Sequence, residues 1–122
     1  MTWCRWWRRW GSVRLSLADE PELRRHLPGV PLLNHLEVLP ARQSRGIGTR
    51  IIAAAERTVH DLAYRRLALG VGIDNPRARK LSERLGYVDW GNGTVDTSYD
   101  VHRDDGRVDT FHETIAVLVK NL

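Results

Sequence analysis

Apolar and polar residues alternate in several short segments of the chain, with the period of two that is typical of half-buried strands. One further segment is more uniformly apolar and ends at Pro40, which cannot donate a hydrogen bond to a neighbouring strand. The last two segments flank Asp104-Asp105-Gly106, a sequence typical of hairpin turns. The predicted strands are residues 12–17, 32–39, 67–73, 95–101 and 108–119.

Two other segments carry apolar residues at helical spacing. The first predicts a helix over residues 46–64, with an inward stripe formed by Ile47, Ile51, Ala55, Val59 and Leu62. The second opens at Asn75, a residue type that caps helix starts, and at Pro76, which suits the first helical position. It ends at Gly86, and its inward residues are Ala78, Leu81 and Leu85.

The order of these elements predicts a mixed sheet. Residues 19–30 contain prolines and predict a loop with at most a short helical turn, and residues 87–90 return to extended chain. Strand, helix, strand, helix and hairpin then imply that the strands around Leu36 and Leu69 run parallel through a crossover, while the C-terminal pair is antiparallel. At 122 residues, the chain is long enough for one domain with a substantial core.

Composition narrows the class of protein. Cys4 is the only cysteine, which excludes an internal disulfide, and no apolar run has the length of a membrane span. The net charge is +4, but all basic residues except Lys80 and Lys120 are arginines scattered along the chain, so a nucleic-acid partner is not favoured. We therefore predict a cytoplasmic protein. An anionic small molecule is a better match than a nucleic acid for a local cluster of arginines.

Residues 1–11 form a leader rich in tryptophan and arginine, with Trp3, Trp6, Trp7 and Trp10 among its first ten residues. Interleaved tryptophan and arginine could bind a membrane surface or stack on bases. The interpretation favoured here is an irregular leader whose tryptophans cover a hydrophobic edge. The domain itself is predicted over residues 12–122.

The stretch from Arg42 to Arg50, RQSRGIGTR, places two glycines at the start of the first helix. It lacks the third glycine of the dinucleotide fingerprint, whose place is taken by Ile51, and the Gly-Lys-Ser/Thr of a P-loop. Backbone N–H groups at a helix start favour an anion, and glycines let it approach closely. From these nine residues alone, a phosphate site and a plain strand-to-helix turn remain equally open.

The wider pattern resembles the GNAT N-acetyltransferase superfamily over about residues 36–87. The matching motifs, in order, are Val38-x-Pro40, Gln43-x-x-Gly46-x-Gly48, Asn75-Pro76-x-Ala78 and Leu81-x-x-x-Leu85-Gly86-Tyr87. The resemblance implies an α/β fold of the α+β type: a mixed, largely antiparallel sheet with a central parallel strand pair, helices on its faces and a C-terminal hairpin. It also implies acetyl-CoA as the cofactor, bound where two strands splay apart.

By this resemblance, Val38 and Leu39 contact the acyl end of the cofactor, and Asn75 with Arg79 contact its remainder. The residues expected at the pyrophosphate are Gln43, Ser44, Arg45, Gly46, Ile47, Gly48 and Thr49. Alternation leaves Gly70 and Gly72 on one nearly bare strand face, which is compatible with such a cleft.

Direct acyl transfer to an amine needs a base, a donor for the thioester oxygen and, where it helps, an acid for the thiolate. Glu37 is the predicted base and His35 an alternative; the two share a face only if their strand is regular. A backbone N–H near Val38 is the implied oxyanion donor. Ser82 stands where the family usually has a tyrosine acid, and Tyr87 is predicted to lie in the core.

Family members generally have a first strand and helices before the strand at 12–17, and these are missing from this pattern. Either the form is abbreviated, completed by a partner subunit such as a second copy in a homodimer, or the start is truncated. The leading hypothesis is an acetyl-CoA-dependent N-acetyltransferase acting on a small-molecule or peptide amine. The rivals are a non-catalytic acyl-CoA-binding or regulatory module and, third, a basic nucleic-acid binder.

Overall fold

The computed structural model describes the backbone of residues 2–3, 11–17, 21–38 and 46–122. Side chains are described for residues 21–33 and 46–122, apart from Tyr99 and Val101. The strands are β1 (Thr2–Trp3), β2 (Gly11–Leu17), β3 (Pro31–Val38), β4 (Arg66–Gly72), β5 (Val88–Asp89), β6 (Val95–His102) and β7 (Val108–Asn121). The helices are α1 (Pro21–His26), α2 (Ile47–Asp61) and α3 (Pro76–Arg84).

These strands form one mixed sheet in the order β1-β2-β3-β4-β7-β5, with β6 also paired to β7. Only the central pair, β3 with β4, is parallel among the pairings of the described strands. The hairpin of β6 and β7 turns at the predicted Asp104-Asp105-Gly106, where Gly106 has a φ of 86°. The predicted fold class is confirmed, including the parallel strands at the centre.

Most strand ends lie within two residues of the sequence-based expectation, and three elements differ from it more clearly. The first long helix ends at Asp61 instead of continuing to Tyr64, because the backbone turns left-handed at Ala63, with a φ of 69°. The short turn expected within residues 19–30 is a helix of six residues, α1. Within the leader predicted as irregular, Thr2–Trp3 pairs with β2 as a short strand.

The helices divide the core between the two faces of the sheet. We call the first group the α2–α3 cluster; besides residues of α2 and α3 it contains Leu33, Leu67, Leu69, Val71, Tyr87, Ala116 and Leu118. The second, the α1 cluster, contains Leu23, Leu27, Val30, Leu32, Ala68, Val95, Ile115 and Val117. Neighbouring residues of β4 and β7 therefore alternate between the two clusters, as the pleat of a strand requires.

A polar contact closes the far end of the α2–α3 cluster. Tyr87 is 2% exposed, which confirms its predicted place in the core, and its hydroxyl donates to a Glu56 carboxylate oxygen at 2.8 Å. The Lys120 ammonium donates to the same oxygen at 2.9 Å and lies over the Tyr87 ring. One carboxylate thus joins α2, the end of β7 and the residue just before β5.

Candidate active site

The central parallel strands β3 and β4 part after a short contact. Their register pairs are Leu32 with Ala68 and Leu33 with Leu69. Beyond this point β3 continues to Val38 beside β2, while β4 continues to Gly72 beside β7. Because each strand keeps its outer neighbour, a gap opens in the middle of the sheet.

A β-bulge lies in β3 where the strands part. Arg14 is opposite Asn34, but Ser12 is opposite Glu37, so β3 contains one residue more than β2 over this interval. A bulge interrupts the alternation of faces and bends the strand that carries it. The sequence analysis placed His35 and Glu37 on one face only for a regular strand, and the bulge means that this condition is not met.

The gap contains a cavity of about 60 Å³, room for a few water molecules. Its walls come from both faces of the sheet and from both long helices. The lining residues are Leu33, Ile52, Leu69, Gly70, Val71, Gly72, Asn75, Ala78, Ser82 and Glu113. The predicted contribution of Gly70 and Gly72 to a cleft is therefore found in the structure.

Helix α2 is the next described element after β3 in the chain. Its N-cap residue makes no side-chain hydrogen bond to the helix. Gly46 occupies the N-cap position with a left-handed φ of 76°, and its carbonyl accepts the first helical hydrogen bond from Arg50 N–H at 3.1 Å. No acidic residue stands in the first turn. The N–H groups of the first turn, which have no acceptor within a helix, therefore leave α2 with a positive N-terminal end.

Helix α3 begins in the opposite way, with a capping side chain. The Asn75 carboxamide oxygen accepts from Ala78 N–H at 3.1 Å, and Pro76 fills the first helical position. The predicted cap is confirmed. Asn75 also lines the cavity, so its predicted contact with a cofactor and its capping contact involve the same short side chain.

We expect Asn75→Ala to lower the free energy of unfolding by about 1 kcal/mol, since the N–H of Ala78 loses its acceptor. Asn75→Asp keeps an accepting oxygen and should stay near the unsubstituted value in urea unfolding. Equal losses in the two variants would contradict the cap. Binding of acetyl-CoA, measured on the same two proteins, separates the predicted cofactor contact from the cap, because only the contact requires the amide.

Ser82 is the buried residue of α3, with 2% of its surface exposed, and it reaches the cavity wall. Its hydroxyl donates to the backbone carbonyl of Ala78 at 2.8 Å, one helical turn earlier. A serine hydroxyl has one proton, so donation to a ligand requires it to leave Ala78. Its role toward a leaving group stays a prediction.

Arg79 lies on the half-exposed side of α3. Its guanidinium contacts Asp89 at 3.1 Å and Glu83 at 3.5 Å. The Gly91 N–H first, and Arg79 second, hold the pKa of the Asp89 carboxyl below its ordinary value. Five N–H donors leave a guanidinium able to contact a further anion, so the predicted cofactor contact of Arg79 stays open.

The other predicted site residues divide into three groups. Leu39, Gln43, Ser44 and Arg45 lie outside the described residues. Glu37 and Val38 are placed by their backbone at the end of β3, beyond the bulge. In the first turn of α2, Ile47 is buried in the core, while Gly48 and Thr49 are half-buried. The side chain of Ile47 thus packs in the core. Its backbone N–H belongs to the first turn of α2 and is the group that could contact a ligand.

Glu113 lines the cavity although no sequence motif singled it out. An ideal Cβ on Gly72 would lie 2.7 Å from Glu113 Oε1 and 2.8 Å from Asp74 Oδ1. Both carboxylates therefore occupy the space that a side chain at position 72 would take. The bare strand face predicted around Gly72 was the one signal in the sequence for this approach, but it could not say which residue comes close.

Comparisons with known proteins identify a matching family and solved structures of similar fold. The model of the acetyltransferase (GNAT) family matches residues 10–87. No curated protein has a significantly similar sequence. Among the solved structures, a GNAT family acetyltransferase from Elizabethkingia anophelis with acetyl-CoA bound has a TM-score of 0.63 at 14% identity, covering 93% of this chain and 69% of that chain.

Two further structures show the same fold. An N-acetyltransferase from Staphylococcus aureus Mu50 has a TM-score of 0.59 at 14% identity, covering 92% of this chain and 60% of that chain. An acetyltransferase from Thermus thermophilus has a TM-score of 0.55 at 23% identity, covering 93% and 56%. The chain thus spans between 56% and 69% of the lengths of these three structures. At identities this low, the structural similarity shows that the fold is shared and nothing more.

The described part of the chain contains neither a helix suited to span a membrane nor a cluster of side chains suited to bind a metal. None of its helices is both long and apolar enough to cross a membrane. Within the same residues, histidine, cysteine, aspartate and glutamate side chains form no group of three that could hold a metal ion.

Proposed function

The chain belongs to the GNAT acetyltransferase family, and from this premise we propose that it transfers an acetyl group from acetyl-CoA to a primary amine by direct attack. The observation that carries the proposal is the uncapped start of α2 together with the parting of β3 from β4. An acetyl-CoA molecule is long, with anionic phosphates at one end and a thioester at the other. The fold offers a positive helix end for the phosphates and a narrow gap for the thioester.

In this proposal the pyrophosphate lies at the start of α2. Among the described residues, and apart from the neighbours of Gly46, no heavy atom lies within 4 Å of an ideal Cβ on Gly46, which favours the approach of a phosphate to the backbone there. The N–H groups of Ile47, Gly48 and Thr49 point toward the helix start and are the proposed donors. Gln43, Ser44, Arg45, Asn75 and Arg79 complete the proposed set. The proposed ligand is acetyl-CoA. The proposed location of the protein is the cytoplasm.

The thioester end is proposed to enter the gap between β3 and β4. The register of β3 with β4 ends at Leu33, which leaves the side of β3 that faces the gap open to a ligand, and the N–H near Val38 is the proposed donor to the thioester oxygen. The amine loses a proton, its nitrogen bonds to the thioester carbon, and the carbon–sulfur bond breaks. The coenzyme A thiolate leaves and takes up the second proton that the nitrogen loses. Ser82 is proposed to hydrogen-bond the sulfur or to hold a water there, and Glu37 is the base proposed from the sequence.

A second function, acyl-CoA binding without transfer, is favoured by one observation. The Ser82 hydroxyl already donates to Ala78, so the position of the usual acid holds a group whose proton is engaged. A coenzyme A thiolate is a fair leaving group, and loss of an acid lowers the rate without preventing transfer. Acetyl transfer is therefore the proposed function. The experiment below distinguishes it from acyl-CoA binding without transfer.

We expect acetyl-CoA and coenzyme A to raise the melting temperature by several degrees, since a ligand at 100 times its Kd adds about 2.7 kcal/mol of stability. Pantetheine, which lacks the pyrophosphate, is the matched ligand control and should raise it much less. Thiol release in the presence of primary amines should then show transfer. If neither coenzyme A nor acetyl-CoA shifts the melting temperature at millimolar concentration, the proposal is wrong; binding without thiol release supports the non-catalytic module.

A further inference from the structure

The carboxylate of Glu113 reaches the cavity from a strand that does not border the gap. Glu113 lies on β7, and β4 stands between β7 and the parted strand β3. Its side chain passes over Gly72, where a Cβ would meet Glu113 Oε1 at 2.7 Å. The missing side chain of Gly72 is therefore what lets Glu113 extend across β4 to the cavity.

Glu113 approaches the cavity from the face opposite α2 and α3. Along β7, Ile115 and Val117 belong to the α1 cluster, whereas Ala116 and Leu118 belong to the α2–α3 cluster. Strand alternation places Glu113 with Ile115 and Val117. The positive start of α2 and the carboxylate of Glu113 thus belong to opposite faces of the sheet, and residues from both faces line the cavity.

We propose that Glu113 binds the ammonium group of the acceptor and takes up the proton that this group must lose. The inference rests on the proposed function, because it assigns the acceptor side of the same gap. The ammonium proton passes to the carboxylate, the freed nitrogen attacks the thioester carbon, and the carbon–sulfur bond breaks as before. Glu113 thereby replaces Glu37 as the base.

A second carboxylate beside Glu113 strengthens the attraction for a cation. Asp74 Oδ1 approaches the same point above Gly72, so a second carboxylate lies beside Glu113. Across the hairpin, Thr97 is opposite Glu113 and donates its hydroxyl to the Glu113 backbone carbonyl at 3.1 Å. Two neighbouring carboxylates attract an ammonium group and repel an anion. The acceptor class that follows is a primary amine without a carboxylate of its own.

The matched acceptors are propylamine and 4-aminobutyrate, which share the same three carbons next to the amino group and differ in the carboxylate that the second compound adds. Transfer to propylamine should be faster in kcat/KM, because the second compound brings a carboxylate toward Asp74 and Glu113. Glu113→Gln should narrow this preference, since one of the two repelling charges is removed. An unchanged preference would overturn the proposed role of Glu113 in selecting the acceptor.

The decisive measurement is kcat/KM for propylamine across about pH 6 to 10, a range in which the amine gains its unprotonated form. Glu113→Gln should lower kcat/KM near neutral pH by roughly 10²- to 10⁴-fold, the contribution typical of a base. The loss should shrink as pH rises, because the free amine needs no base. The Kd for acetyl-CoA should be unchanged, and Glu113→Asp should recover part of the rate.

The control is Asp109→Asn, on the same strand and the same face, where the carboxylate pairs with Arg103 at 2.7 Å away from the cavity. It should leave kcat/KM unchanged. A Glu113→Gln loss that is equal at every pH, or a pH-dependent loss found in Glu37→Gln instead, overturns the assignment of Glu113. If acetyl-CoA binds but no amine of a broad panel releases thiol, the proposed transfer itself fails.

Discussion

Gly46→Ala is expected to weaken acetyl-CoA binding by about tenfold or more, equivalent to roughly 1.4 kcal/mol. A methyl group at this position stands at the start of α2, between the first-turn N–H groups and the proposed pyrophosphate. It also strains a backbone with a φ of 76°, at a cost of about 1–2 kcal/mol to the fold. Titration calorimetry gives the binding change, and urea unfolding gives the stability change.

The matched control is Gly106→Ala in the hairpin turn. Gly106 has a φ of 86°, and an ideal Cβ there also has no heavy atom within 4 Å beyond its own neighbours. Its substitution should cost similar stability but leave the Kd for acetyl-CoA unchanged. Equal Kd values for the two variants would mean that Gly46 serves only the turn. Gly46→Val, with a larger side chain, should weaken binding further.

Glu56→Ala is expected to destabilise the fold by about 2–3 kcal/mol, because it leaves the buried Tyr87 hydroxyl without its acceptor. The Lys120 ammonium loses the same partner. Tyr87→Phe removes only the hydroxyl and should cost about 1 kcal/mol. If the contact is the cause, the double variant should lose less than the two single variants together. Strictly additive losses in urea unfolding would contradict it.

The same contact should appear in the pH dependence of stability. Burial first, and the hydrogen bond to Glu56 with its charge second, raise the pKa of Tyr87 above its ordinary value. The unfolded chain then loses this proton near about pH 10 while the folded protein keeps it. Stability from this group is therefore complete below about pH 10 and falls above it, by at most about 1.4 kcal/mol per pH unit. Tyr87→Phe should make this decline less steep.

Local features of the sequence predicted most of the elements. Helix α2 has an apolar stripe at helical spacing, and α3 has its cap at Asn75 with Pro76 behind it. Both depend on residues within a few positions of each other, so a single sequence is enough to recognise them. The end of α2 was harder to predict, because the apolar spacing continues to Leu62 while the backbone turns at Ala63.

The candidate site was predicted in part. The glycines at the start of α2, the cap at Asn75 and the bare face at Gly70 and Gly72 are all visible in the sequence. The backbone positions of Glu37 and Val38 follow a bulge that arises only when β3 pairs with β2. Ser82 was assigned from its place in a motif, and its hydrogen bond to Ala78 emerged only with the helix.

The sequence by itself determined the order of the elements, the mixed sheet and the glycine-rich start of α2, since periodicity and backbone freedom are properties of short stretches. Only the tertiary structure decided where β3 and β4 part and which carboxylate reaches the gap. Glu113 follows Gly72 after two further elements, α3 and β5, and most of a hairpin. Their meeting depends on the pairing of β7 with β4, because contacts between residues so far apart in the chain are set by strand register.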